Sequence, residues 1–340
     1  MARAVDTPIA GWTPPSYEVL PGGKVSNATP GDLNNWGRWG DEDQAGTANL
    51  CTPERVAAAA QLIRTGKRFS LALPIGKFPT PSGRPNPLHF FTSAASDAVL
   101  GDSSFAAESS AIGTAGGTTY HISDDHVVLA LQYTTQLDGF GMGIDHTLFN
   151  GYWAGLVTAR SGARRLGMEK RSHGYVGRGV LLDVARCLGV ERLEDETRID
   201  TQMLQATADA QGVAVGPGDI VLVRTGFLGW WLRAENQGAF MAGPGLSATT
   251  IPWLVEHDVS LVAIDHFAIE VVSGVEENQR PIEFHIRALR DLGMGVGETF
   301  DLDALADDCA QDGIYEFFFT AVPLPVSGGC GSPLNPLAIK

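Results

Sequence analysis

The sequence predicts an α/β fold. Short apolar runs of strand length, such as "GDIVLVRTG", "SLVAID" and "YEFFFTAVPL", alternate along the chain with segments of helical pattern. Hydrophobic residues make up 44% of the 340 residues at a mean hydropathy of +0.01, which is ordinary for a globular chain with a substantial core. No internal repeat or low-complexity tail interrupts this pattern.

The elements follow in order. Residues 1–50 are rich in Gly, Pro, Asn and Trp and lack helical or strand periodicity, so they read as an extended N-terminal arm; residues 51–340 read as a single α/β domain. "TPERVAAAAQLIRTG" predicts a helix, with Thr52 as its cap, Pro53 in the first turn and Gly66 at the exit. "KRFSLALPI" alternates like a strand. Residues 78–117 read as a long loop with a short helix near "SDAVLG", and loops of that length are often functional. "HVVLALQ" reads as a buried strand, "YWAGLVTARSGARRLG" as a helix, and "GRGVLLDVARCLG" as a strand running into a turn. "TRIDTQMLQATADAQG" predicts a helix that Thr197 could cap. After the strand "GDIVLVRTG" come a helix in "SATTIPWLVEHDV", the strand "SLVAID", helices around "FHIRALRDLG" and "LDALADDC", and the strand "YEFFFTAVPL".

Charge narrows the function. A formal net charge of −15 argues against nucleic acid and anionic membrane as partners, because neither polyanion is attracted by such a field. No apolar run reaches the roughly 18 residues that span a bilayer, and the N-terminus lacks a basic start with an apolar core, so a cytoplasmic protein is expected. Cys51, Cys187, Cys309 and Cys330 show no C-x-x-C spacing and read as buried free thiols.

Common catalytic signatures are absent. The eight histidines form no H-E-x-x-H pair, and no G-x-S-x-G elbow, phosphate-binding loop or strand-anchored G-x-G-x-x-G is written. Polar residues at strand ends remain: Gln132, Gln136 and Asp138 after "VVLAL", Arg224 and Thr225 after "DIVLV", and Asp265 after "SLVAI". Such positions in an α/β sheet converge on a cleft, although Asp138 and Asp265 read equally well as turn-capping residues. His285 and Glu298, delivered from neighbouring segments, would suit a divalent metal. The "HISDDH" run does not, because successive strand side chains face opposite ways. Arg178 reads as a structural arginine or an anion clamp.

The stretches "WGRWGDEDQAGTANLCTPERV", "GYVGRGVLLDVAR", "GDIVLVRTG" and "EFFFTAVPLPVSGGCGSPLNPLAIK" resemble the long branch of the Putative cyclase family, whose short members are the bacterial kynurenine formamidases and isatin hydrolases. The resemblance implies a swivelling β/β/α domain in a homodimer or homotetramer, and amide hydrolysis by water on a divalent metal. The short members carry H-x-G-T-H-x-D-x-P-x-H. On this chain Gln132 and Gln136 stand where the first two histidines would be, Thr134 and Thr135 at the Gly-Thr, Asp138 at the aspartate, Phe140 at the proline and Met142 at the last histidine. The later ligands of the family fall on His285 and Glu298. A site of Gln132, Gln136, Asp138, His285 and Glu298 is richer in oxygen than the family's, which shifts the expected metal from Zn²⁺ toward Mn²⁺ or Mg²⁺, or leaves the site without one.

Methionine moves no proton, so His146 is the expected acid/base in place of the histidine lost at Met142, with His266 as second candidate. Trp39, Phe140 and Arg224 are the expected contacts to a small substrate. Three readings compete: a metal-dependent hydrolase of a small amide, cyclic amide or lactone; a metal-independent lyase or cyclase using His146 and Asp138; and a non-catalytic protein that binds a small molecule.

Overall fold

The computed structural model describes residues 16–78, 84–94, 114–115, 118–119, 123–233, 243–273 and 280–340. Apolar strands buried on two faces need cover on both, and this sheet has it. Its strands are β1 (Arg68–Ser70), β4 (Gln136–Asp138), β5 (Tyr175–Asp183), β6 (Ile220–Arg224), β7 (Leu261–Ile264), β8 (Gly295–Glu298), β9 (Glu316–Ala321), β10 (Gly331–Pro333) and β11 (Leu337–Ile339). Two further strands, β2 (Leu88–Ser93) and β3 (Asp124–Val128), form a separate hairpin. Across the nine-stranded sheet the order is β1-β11-β9-β5-β6-β7-β8-β4-β10. The centre, β5-β6-β7-β8, is parallel; β4 then reverses direction, with Gln136 opposite Glu298 and Leu137 opposite Gly297.

Side-chain alternation divides the core in two. Val180, Leu182, Val221, Val223, Val262, Ile264 and Val296 point to one face, under α3 (Thr201–Gln211) and α5 (Ile251–Glu256). Leu181, Ile220, Leu222, Leu261 and Ala263 point to the other, with Phe317 and Phe319 and with Leu305 and Cys309 of α7 (Asp303–Asp312). Glu298 shares the parity of Val296 and so lies on the first face. Over it passes α6 (Glu283–His285), which widens into a π-helical turn, Ile286–Asp291.

Several expectations held locally. The helix α1 (Pro53–Ala60) starts at Thr52, whose side chain accepts from Arg55 N, although it ends before Gly66. The arm, as far as it is described, packs on the body: Trp36 Nε1 donates to Arg290 O at 2.8 Å, and Thr47 Oγ1 to Ser260 O at 2.5 Å.

Others need correction. "HVVLALQ" is not a buried strand: β3 ends at Val128 and, among the described residues, pairs only with β2, leaving Val127 and Val128 exposed, and the buried strand of this region is β4. Apolar content alone did not reveal that both faces of this hairpin stand open. "YWAGLVTARSGARRLG" is not a helix but 3₁₀ turns and a small hairpin of Val157–Thr158 with Gly162–Ala163. Gly162 takes φ +65° there, and a Cβ on it would meet Gly328 O at 2.8 Å, so the apolar spacing is overridden by a tight turn. Asp200, not Thr197, caps α3; Thr197 Oγ1 donates to Glu194 O instead. Of the four cysteines, all free, Cys309 alone is buried, and Cys187 is exposed. The short helix expected near "SDAVLG", most of the 78–117 loop and His121 lie outside the described residues.

Candidate metal centre

Three segments deliver the site. Strand β4 presents Gln136 and Asp138 on one face, β8 ends in Glu298 beside them, and α6 places His285 above both. One ligand atom from each of Asp138, His285 and Glu298 lies within 4.8 Å of the others. His285 Nε2 is 3.2 Å from Glu298 Oε1 and 3.8 Å from Asp138 Oδ2. The three line a cavity of about 530 Å³, together with Gln132, Gln136, Arg84, Met142, Val157, Phe267, Ile282, Leu289 and Cys330.

Electrostatically the cluster is short of positive charge. Burial, with the charge of Glu298 adding to it, pushes the Asp138 carboxyl up to about 7, against the pull of His285 and the nearby Arg84 and Arg171. Burial disfavours the His285 imidazolium, but hydrogen bonds to Glu270 and Glu298 and the charges of Glu298 and Asp138 outweigh that and hold it up to about 10. Three carboxylates, Asp138, Glu270 and Glu298, thus gather around one imidazole, and protons stand where a cation would relieve the repulsion. Two carboxylates and one imidazole Nε2 converging on one point fit a divalent cation.

The glutamines fit less well as ligands. Gln136 Nε2 donates to Glu298 Oε2 at 2.7 Å and lies 3.4 Å from Asp138 Oδ1, so its amide nitrogen rather than its oxygen faces the carboxylates. Gln132 Nε2 donates to Cys330 O at 2.7 Å. In this arrangement both amides act as donors that brace the cavity wall, not as metal ligands.

The remaining expected residues lie elsewhere. His146 is exposed, sits at φ +62° in a turn with its ring tilted against Tyr17 at 4.7 Å, and is absent from the cavity wall. His266 is fully buried behind the wall: its Nδ1 lies 2.9 Å from Ala268 O, and its ring packs edge-on to Phe227. Phe140 is buried under the Arg171 guanidinium, Trp39 packs against the core, and Arg224 is held by Asp183 and Asp303. Arg178 bridges Asp219 and Glu316 as a structural arginine.

Sequence reasoning missed Glu270, whose Oε1 lies 2.5 Å from His285 Nδ1. A lone acid inside "FAIEVV" was the available signal, since a charge in an apolar run is buried only with partners. It also missed Arg171, which donates from Nη2 to Asp138 O at 3.2 Å.

A mixed sheet with a parallel centre and a carboxylate and imidazole cluster where its strand direction reverses defines a class of α/β proteins with a site for a cation. The chain belongs to the Putative cyclase family, whose model matches residues 70–271. A crystal structure described as a novel cyclase is 37% identical, with a TM-score of 0.81 over 91% of this chain and 98% of its own. The fold is also that of an isatin hydrolase bound to the product analogue thioisatinate (TM-score 0.55, 15% identity, 80% of this chain and 91% of that one). Isatin hydrolase A from Ralstonia solanacearum agrees similarly (TM-score 0.54, 18% identity, 85% and 98%). No curated protein matches the chain. No helix among the described residues is long and apolar enough to cross a membrane.

Proposed function

We propose that this chain is a metal-dependent hydrolase acting on a small amide, cyclic amide or lactone, with Asp138, His285 and Glu298 holding the metal. The observation that carries this reading is the convergence of those three side chains within 4.8 Å on the wall of one cavity. A divalent ion bound there would supply an acidified water and polarise the substrate carbonyl. Mn²⁺ is the favoured ion, because carboxylate oxygens outnumber the single imidazole in the donor set.

The chain's own residues do the rest. Met142, Val157, Phe267, Ile282 and Leu289 form an apolar wall that suits a flat ring and excludes bulk water. Arg84 and Gln132 add polar groups to the lining. The isatin hydrolases that share the fold make cyclic amides the first substrates to try.

Metal in protein purified without chelator or immobilised nickel, measured by elemental analysis, tests the reading. Near one ion per chain is expected in wild type and none in Asp138→Ala, with ring opening of a cyclic amide or lactone panel lost in parallel. Full turnover by metal-free protein would sink it.

A further inference from the structure

Helix α6 begins without a cap of its own. Ile282 precedes it at φ +53° and offers no side-chain acceptor, so the first backbone donors of the helix need one from elsewhere. Glu270 supplies it from a different segment: Oε2 accepts from Phe284 N at 3.1 Å and Oε1 from His285 N at 3.0 Å. The same Oε1 lies 2.5 Å from His285 Nδ1. One carboxylate therefore fixes both the backbone and the ring of His285, and turns Nε2 toward Asp138 and Glu298.

The residue before it acts on the other side. Ile269 N donates to Glu298 Oε1 at 3.0 Å. The segment is seated by Leu246 N, which donates to Ile269 O at 2.7 Å, and by Gly245, where a Cβ would come within 2.5 Å of the Glu270 carbonyl carbon. Two consecutive residues thus touch two of the three ligand side chains.

We propose that Ile269–Glu270 is a positioning clamp for the metal centre, in which Glu270 selects the His285 ring form that presents Nε2 as a ligand. This deepens the metal-dependent reading and rests on it. A carboxylate on the far nitrogen of a ligand histidine fixes ring orientation and raises basicity, and losing such a partner typically weakens metal binding by about 10–100-fold.

The test compares wild type, Glu270→Gln, Glu270→Leu and Gly245→Ala. Mn²⁺ affinity, read from free Mn²⁺ by electron paramagnetic resonance, is expected to fall by about 10–100-fold in both Glu270 variants, and in Gly245→Ala as the segment is pushed aside. In metal-free protein, the Nδ1-bound proton of the His285 ring, identified by its absence in His285→Gln, is expected to be shifted strongly downfield by its short hydrogen bond to Glu270 in wild type and to lose that shift in Glu270→Leu. A role as helix cap alone would lower the melting temperature and leave both readouts unchanged, which would overturn the proposal. If wild type holds neither Mn²⁺ nor Zn²⁺, the metal reading fails, and the ring signals still decide whether Glu270 fixes the imidazole.

Discussion

Asp138 and His285 illustrate how a buried site registers the absence of compensating charge. In the metal-free chain both bind protons more tightly folded than unfolded: Asp138 rises from 3.8 to about 7 and His285 from 6.5 to about 10. The Asp138 contribution to stability is therefore complete below about pH 4 and lost as pH rises through 7; that of His285 is complete below 6.5 and lost as pH rises through 10. Chelator-treated protein should lose stability from this cluster progressively between pH 5 and 9, and Asp138→Asn should flatten the part below pH 7. Urea unfolding of both proteins at pH 5, 7 and 9 measures it, and parallel curves would contradict it. Arg224 makes the opposite point. It was legible as a polar strand-end residue but not as a structural one, because its partners Asp183 and Asp303 come from distant segments. Arg224→Ala should cost about 3 kcal/mol, by leaving the buried Asp183 with one cation fewer, without loss of Mn²⁺ affinity.

At the scale of elements, strand β4 sets the position of Asp138, and a single hydroxyl anchors it. Thr135 Oγ1 donates to Thr299 O at 2.6 Å and accepts from Leu73 N at 3.0 Å, joining the residue before β4 to the residue after β8 and to the strand-like segment after β1. Thr135→Val keeps the shape and leaves both backbone groups unpaired, so a loss of about 2 kcal/mol is expected by thermal or urea unfolding, together with weaker Mn²⁺ binding as Asp138 and Glu298 lose their register. The parallel strands β5 to β7 were legible because uninterrupted apolar runs bounded by turn residues have few alternatives, whereas β8, whose sequence GVGE is half glycine, was not. His285 and Glu298 were legible through family resemblance. The turns over residues 152–167 were not, because "YWAGLVT" has the apolar spacing of a helix while Gly162 closes a tight turn against the backbone of Gly328. Glu270 carried only the signal of a lone acid in an apolar run: its meaning depends on a helix start that the chain reaches 13 residues later, at Glu283, and no local pattern encodes that meeting.

On the whole molecule, the arm, the π-helical turn and the sheet close over the same face, which ties the site to global stability. Asn35 Nδ2 donates to Leu292 O at 2.9 Å and Gly31 N to Asp291 Oδ1 at 3.2 Å, so the arm grips the turn that continues from His285. Arg290 within that turn donates to Thr29 O and to Thr147 Oγ1. A cation bound by β4, β8 and α6 would therefore join three elements that the unfolded chain separates, and its binding energy would appear as folding energy. Mn²⁺ at about a thousand times its dissociation constant should stabilise the folded chain by about 4 kcal/mol, with protons released on binding as Asp138 and His285 give theirs up. Melting temperature followed against Mn²⁺ concentration, alongside proton release in weak buffer, reads both. Asp138→Asn should show neither response while keeping a cooperative transition. Equal stabilisation of wild type and Asp138→Asn would mean that the ion binds elsewhere on this acidic surface, whose net charge of −15 attracts cations without any built site.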